Sequence, residues 1–181
     1  MFDVDVLLAD LVASQADGDP RRAAKDVLVR ALAEPGDVTA AIAPAVGGIT
    51  LLHHGPDFTV INVAWAPRMR LMAHDHRMWA LIGIYAGIED NEFFRRGSDG
   101  RLVEAPARRL AAGDVASLGA ETIHAVANPT DGLTGAIHVY GGDFVNQPRS
   151  QWGPGDMIER PYDLAEVNRQ FEAANLDAGL T

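Results

Sequence analysis

The 181-residue chain contains no cysteine, so disulfides, thiolate metal ligands and a cysteine nucleophile are all excluded. It also lacks an excess of positive charge. Fifteen Lys and Arg stand against 25 Asp and Glu, for a formal net charge of −10. Nucleic acids and anionic membrane surfaces are bound through basic patches, so neither is an expected partner. No apolar run reaches the ~18 residues of a membrane span. The opening stretch "MFDVDVLLADLV" places Asp3 and Asp5 where a secretory leader needs positive charge. There is no internal repeat, low-complexity segment or interdomain linker. The expectation is a cytoplasmic protein with one domain over residues 1–181, and its 48% hydrophobic content is enough for a sizeable core.

Two helices are expected first. Val4, Leu7, Leu8, Leu11 and Val12 recur at helical spacing over residues 4–15. Asp19 as N-cap and Pro20 at the first helical position then open a second helix, with Ala24, Val27, Leu28, Ala31 and Leu32 as its apolar stripe. Pro35-Gly36 is expected to stop it. From about Gly47 the chain changes to short β-like runs such as "DFTVINVAWAP", "WALIGIYAG" and "TGAIHVYGG", separated by Gly, Pro, Asn and Asp. That pattern predicts an all-β sandwich or barrel. The expected layout is a helical layer over residues 1–36, a β-barrel over 47–145, and an extension over 146–181 with a short helix near 163–175.

The segment "MAHDHRMWALIG" carries two histidines flanking one aspartate. On a strand, His74 and His76 point to one face and Asp75 to the other, so the two imidazoles can hold one metal ion. Downstream, "GDVASLGAETIHAVAN" sets His124 eleven residues after Gly113 and Asn128 four residues after His124, while Gly87 follows His76 by eleven. Together these resemble the two sequence motifs of the cupin superfamily. The resemblance implies a double-stranded β-helix barrel, with N-terminal helices added here, and a metal in its mouth. Gly119 and Glu121 replace the usual Pro and Gly of the second motif, and Arg68 replaces the leading Gly of the first. Many cupins add a glutamate four residues after His-x-His, where this chain has Ala80. The expected ligands are therefore His74, His76 and His124, all neutral, with Glu89 and Glu92 read as a solvated hairpin from which either could serve as a stray fourth ligand. Three neutral ligands leave a divalent ion its full charge, which favours a substrate bringing its own anion, such as a thiolate.

In "AIHVYGGDF", alternation sets Ala136, His138 and Tyr140 on one face, so that His138 can orient the Tyr140 hydroxyl. "HDHRMWALIGIYAG", "IHAVAN" and "IHVYGGD" together resemble the thiol dioxygenases, the cysteine dioxygenase type I-like family, and its bacterial members in particular. This resemblance covers roughly residues 50–150. It implies iron(II) on His74, His76 and His124, with O2 converting a small thiol (cysteine or 3-mercaptopropionate-like) to its sulfinic acid. Zinc, nickel or manganese can stand in for iron in a purified sample. His138 and Tyr140 match the last two members of the family's Ser-x-His-x-Tyr relay, and Trp79 matches a tryptophan packing behind the ligands. The relay serine is Ala136, and the carboxylate-binding arginine expected before "LLHHGPDF" is absent, with Ile49 or Thr50 in its place. Arg149 stands about where mercaptopropionate-type relatives carry an arginine and is the expected substrate-binding residue. Arg68, Arg70, Arg77, His53 and His54 are the other cationic candidates. The missing serine and arginine also keep two alternatives open: a metal-binding cupin that senses a ligand without turnover, and a cupin oxygenase or isomerase acting on a non-thiol substrate.

Overall fold

The structure, a computed structural model, describes residues 1–99, 101–153 and 155–180. Helix α1 (Val4–Ser14) starts where the Asp3 carboxylate accepts from the amides of Asp5 at 2.8 Å and Val6 at 3.3 Å. Helix α2 (Pro20–Ala31) begins as its sequence predicts. Asp19 caps it by accepting from the Arg22 amide, and Pro20 occupies the first turn, where no N–H is needed. Pro35-Gly36 does more than stop this helix, because it opens a third, α3 (Pro35–Ile42). The missing N–H and fixed φ that forbid continuation suit proline to a new first turn.

Eleven strands follow: β1 (Gly48–His54), β2 (Thr59–Trp65), β3 (Arg70–Asp75), β4 (Ala80–Ala86), β5 (Ile88–Arg96), β6 (Leu102–Ala111), β7 (Val115–Leu118), β8 (Ile123–Ala127), β9 (Thr134–Tyr140), β10 (Ser150–Trp152) and β11 (Glu159–Pro161). They pair into a sheet of order β1-β2-β9-β4-β7 and a second of order β11-β10-β3-β8-β5-β6. Between β2 and β10 each connection crosses to the other sheet, except in the β5–β6 hairpin. That alternation is the double-stranded β-helix of the cupin fold. Among the described residues no strand pairing joins the two sheets. The expected barrel is therefore a sandwich of facing sheets, not a closed hydrogen-bonded ring.

Every residue of β2 and of β9 is buried, because the five-stranded sheet is covered on both faces. On its outer face Val60, Leu81, Tyr85, Ile137 and Val139 pack against Leu7, Leu11, Leu28 and Leu32 of the helical layer. On its inner face Ile61, Val63, Ile82, Ile84 and Ala136 meet Leu71 and Val126 of the opposite sheet. Gly87 turns the chain out of β4 with φ 73°, and a Cβ there would lie 2.4 Å from the Thr134 hydroxyl. Glycine avoids both the steric clash and the strain of that conformation.

After β9 the chain does not wander off as an extension. Strand β10 pairs with β3, placing Gln151 opposite His74. Helix α4 (Leu164–Asp177), capped by Asp163, forms where the last helix was expected. Its Val167 and Phe171 enter the inner cluster, with Phe171 stacked on Trp65 at 5.5 Å. Asn175 pins its far end through two bonds with the Gly47 backbone, at 2.7 and 2.9 Å. Among the described residues no helix is long and apolar enough to cross a membrane. Truncating Phe171 to alanine is expected to cost about 3–5 kcal/mol of folding stability, measured by urea denaturation. A loss below about 1 kcal/mol would show that α4 does not belong to the cooperative core.

Candidate metal centre

The local geometry begins with an irregularity in β3. Leu71 lies opposite Val126 and His74 opposite His124, so three steps on β3 match two on β8. The extra residue is a β-bulge. Leu71 faces the cavity between the sheets, and strict alternation from it would turn Ala73 and Asp75 inward. The bulge reverses this and brings His74 to the cavity. Ala73 packs with Trp152 and Phe94 on the opposite face. Asp75 accepts from the Ser150 amide at 2.7 Å and pairs with Arg77 and Arg96, so its role is to hold β10 in place. His76 lies one residue beyond the end of β3, before Arg77 turns the chain with φ 56°.

One ring nitrogen from each of His74, His76 and His124 lies within 4.8 Å of the others, and all three residues are buried. Burial pushes His74 down to about 4, and burial together with neighbouring imidazoles holds His76 and His124 well below the ordinary histidine value. All three are neutral at pH 7. The Nδ1 of His74 reaches the Met72 carbonyl at 3.1 Å, and that oxygen can only accept, so the proton sits on Nδ1. The Nδ1 of His124 meets the Asn91 side-chain oxygen at 2.7 Å. Both residues therefore keep a lone pair on Nε2. The Nε2 atoms of His76 and His124 are 3.4 Å apart. Two nitrogens each ~2.1 Å from one ion stand about 3.0 Å apart at a right angle and about 3.4 Å apart at the tetrahedral angle. The donor set and its spacing fit a divalent metal ion.

Two carboxylates expected in one solvated hairpin separate on β5. Glu92 is half-buried and paired with Arg70. Glu89 is completely buried. It accepts from the Trp65 indole at 2.7 Å and from the Asn91 amide nitrogen at 2.8 Å, and burial raises it to about 7. Glu89 and Asn91 share the inner face of β5, while Asp90 faces Arg109 on the other. The period-2 signal was present in "IEDNEFF", but the string of polar residues read as a solvated edge.

The cluster opens onto a cavity of about 210 Å³. His138 and Tyr140 line it with His74 and His124, and the Tyr140 hydroxyl lies 2.9 Å from His138 Nδ1. Burial lowers His138 to about 3 and pushes Tyr140 above its ordinary range. His138 Nε2 has no hydrogen-bond partner among the described residues, and its nearest carboxylate oxygen belongs to Glu89, at 4.0 Å. With His138 neutral this is a polar contact and not an ion pair.

Arg149 lies in the cavity wall. Its guanidinium is sandwiched 4.0 Å from the Phe144 ring centre and 4.1 Å from that of Tyr162, and Phe144 stacks on Tyr140 at 3.8 Å. One terminal nitrogen donates to the Phe144 carbonyl at 2.8 Å, while Nε has no partner among the described residues. The other cationic candidates lie elsewhere. Arg68 pairs with Asp131, Arg70 with Glu92, Arg77 with Asp75 and Glu159, and His54 with Asp143. His53 stacks on Phe58. Trp79 packs with the outer cluster and does not line the cavity. A Cβ on Gly141 would lie 1.9 Å from its indole, so Trp79 and Gly141 fit together where the 141–149 loop begins. Phe144 and Tyr162 come from irregular segments and carried no periodic signal.

No protein-family model matches the chain. Solved structures similar to it include a cupin superfamily protein from Desulfitobacterium hafniense, at 16% identity over 59% of this chain and 88% of that one, with a TM-score of 0.47. A protein of cupin-like fold from Ralstonia eutropha is 15% identical over 74% of this chain and 75% of that one, at TM-score 0.47. A DMSP lyase from Ruegeria pomeroyi is 18% identical over 57% of this chain and 50% of that one, at TM-score 0.46. These likenesses concern the fold alone.

The buried imidazoles set the acid response of the metal-free protein. An unfolded chain binds protons near the ordinary histidine value of ~6.5, whereas folded His74 and His138 resist until about 4 and about 3. Each depressed imidazole therefore gives stability that is complete above pH ~6.5 and is lost on acidification, about 2 kcal/mol apiece at pH 5. Glu89 works in the opposite sense, since its raised carboxyl destabilises the fold as pH climbs towards 7. Four imidazoles outweigh one carboxyl. Urea midpoints in EDTA should fall steadily from pH 7.5 to pH 5, and a flat profile would refute the buried neutral state.

Proposed function

We propose that the protein is an iron(II)-dependent dioxygenase that adds both atoms of O2 to the sulfur of a small acidic thiol, giving its sulfinic acid. The observation that carries this reading is the convergence of the three-histidine cluster, the His138–Tyr140 pair and Arg149 on one cavity. An iron(II) ion held by His74, His76 and His124 would supply thiol deprotonation and O2 activation.

The chain's own residues have separable tasks. Tyr140 stays protonated because burial disfavours its phenolate, so its hydroxyl is available as a donor facing the reacting sulfur. His138 holds that hydroxyl at 2.9 Å. Arg149 is pre-set by its aromatic sandwich and has donor capacity left for a carboxylate. Ile61, Val63, Leu71 and Val126 make the buried part of the wall apolar, while Ile49 and Leu51 stand exposed at its mouth. Among the described residues no Asp or Glu lines the cavity, so a substrate ammonium would enter without a counter-charge. The preferred substrate is accordingly an acid lacking the amino group, of the 3-mercaptopropionate kind, over cysteine or cysteamine. A donor pair and a carboxylate grip on one cavity support this reading, whereas the binding-only and non-thiol alternatives predict no thiol-dependent O2 uptake.

The test is O2 uptake by iron-loaded protein across 3-mercaptopropionate, cysteine, cysteamine and mercaptosuccinate, with sulfinate quantified. Uptake should be highest for the acids without an amino group. Absence of thiol-dependent uptake with iron bound would overturn the proposal and leave the sensing or non-thiol cupin. Arg149→Ala should raise KM for 3-mercaptopropionate roughly 100-fold while leaving turnover of cysteamine little changed. Tyr140→Phe should lower kcat roughly 10- to 100-fold with iron still bound, and an unchanged kcat would remove the hydroxyl from the reaction.

A further inference from the structure

Glu89 is not used by the proposed reaction, yet burying a carboxyl completely is costly unless its surroundings compensate. Asp75, the other fully enclosed acid in this sheet, has Arg77 and Arg96 beside it. The hydrogen bonds to Glu89 come from neutral donors only, the Trp65 indole at 2.7 Å and the Asn91 amide at 2.8 Å. Ordinary packing does not call for such a group.

Hydrogen-bond polarity gives it a task. Above about pH 7, where Glu89 is ionised, its carboxylate only accepts, so the NH2 end of Asn91 must face it. The oxygen end then faces His124 Nδ1 at 2.7 Å, and that nitrogen must carry the imidazole proton. The lone pair is thereby left on Nε2, the atom 3.4 Å from His76 Nε2 at the centre of the cluster. We infer that Glu89 is a positioning residue that fixes the metal-binding tautomer of His124 through the Asn91 amide. This inference rests on the reading of the three histidines as a metal centre, but not on the choice of thiol.

Glu89→Gln keeps the size of the side chain and breaks the polarity. Glutamine has one oxygen for two donors, Trp65 and Asn91, so one N–H must face another. If Asn91 turns round to relieve this, it drives the His124 proton onto Nε2. Cobalt(II) titration of the metal-free protein, followed by its visible absorption, should show Glu89→Gln binding the ion 10- to 100-fold more weakly than wild type. The paired variant Glu89→Gln with Asn91→Asp restores an unbroken order. The new aspartate accepts from both the glutamine and His124, while Trp65 donates to the glutamine oxygen. Its cobalt affinity should return to within about threefold of wild type, a result that simple loss of packing would not produce. Equal affinity in Glu89→Gln and wild type would overturn the inference. So would a folded paired variant still bound tenfold more weakly, and this arm carries the test should the single variant not fold. Failure of wild type itself to bind cobalt would instead overturn the metal centre, so the two failures are distinguishable.

Discussion

Desolvation of four imidazoles is the constraint on which the interior depends. His74, His76, His124 and His138 are all buried between the sheets and all held in the neutral form. A neutral imidazole in an apolar place must have its N–H satisfied and its lone pair aimed at something electrophilic. The fold supplies the first to three of them from local groups: the Met72 carbonyl for His74, the Asn91 amide oxygen for His124, and the Tyr140 hydroxyl beside His138, while His76 Nδ1 has no partner among the described residues. Ring nitrogens of His74, His76 and His124 converge, and that convergence is an arrangement that could hold a metal ion.

Keeping that interior dry requires cover on every side. The N-terminal helices seal the outer face of the five-stranded sheet, so its strands can be apolar on both faces. Helix α4 closes one end through Phe171 on Trp65, and Trp65 in turn donates to Glu89. The packing of the C-terminal helix and the polar contacts behind His124 thus share one indole ring. The stack of Tyr140, Phe144, Arg149 and Tyr162 closes a further wall and places a fixed positive charge beside the neutral imidazoles.

The Ala136 position shows a local departure that the fold leaves open. With the His138 proton on Nδ1 towards Tyr140, a serine two residues earlier would give Nε2 a donor, and alanine cannot. Nε2 has no hydrogen-bond partner among the described residues, and the Glu89 carboxyl lies 4.0 Å away. The same carboxyl lies behind the cavity wall, one side towards Asn91 and the other towards His138.

Period-2 alternation and cap chemistry were local properties, so the chain by itself determined the helix starts at Asp3 and Asp19, the β-rich middle, the grouping of His138 with Tyr140, and the pool of histidines from which the cluster is drawn. Tertiary structure decided the rest, because each remaining point turned on what another strand contributes. Strict alternation along β3 would have turned His74 away from Leu71, and only the extra residue against β8 brings both to the cavity. Glu89 and Glu92 look alike in sequence. One finds Arg70 at the surface and the other finds Trp65 and Asn91 inside. Only a positional resemblance set Arg149 apart from Arg68, Arg70 and Arg77 along the chain. Those three are neutralised by acids brought beside them by the fold, and Arg149 is enclosed by aromatic rings from Phe144 and Tyr162. A charge is neutralised at the surface or enclosed beside a cavity according to its partners in space, and local sequence does not reveal those partners.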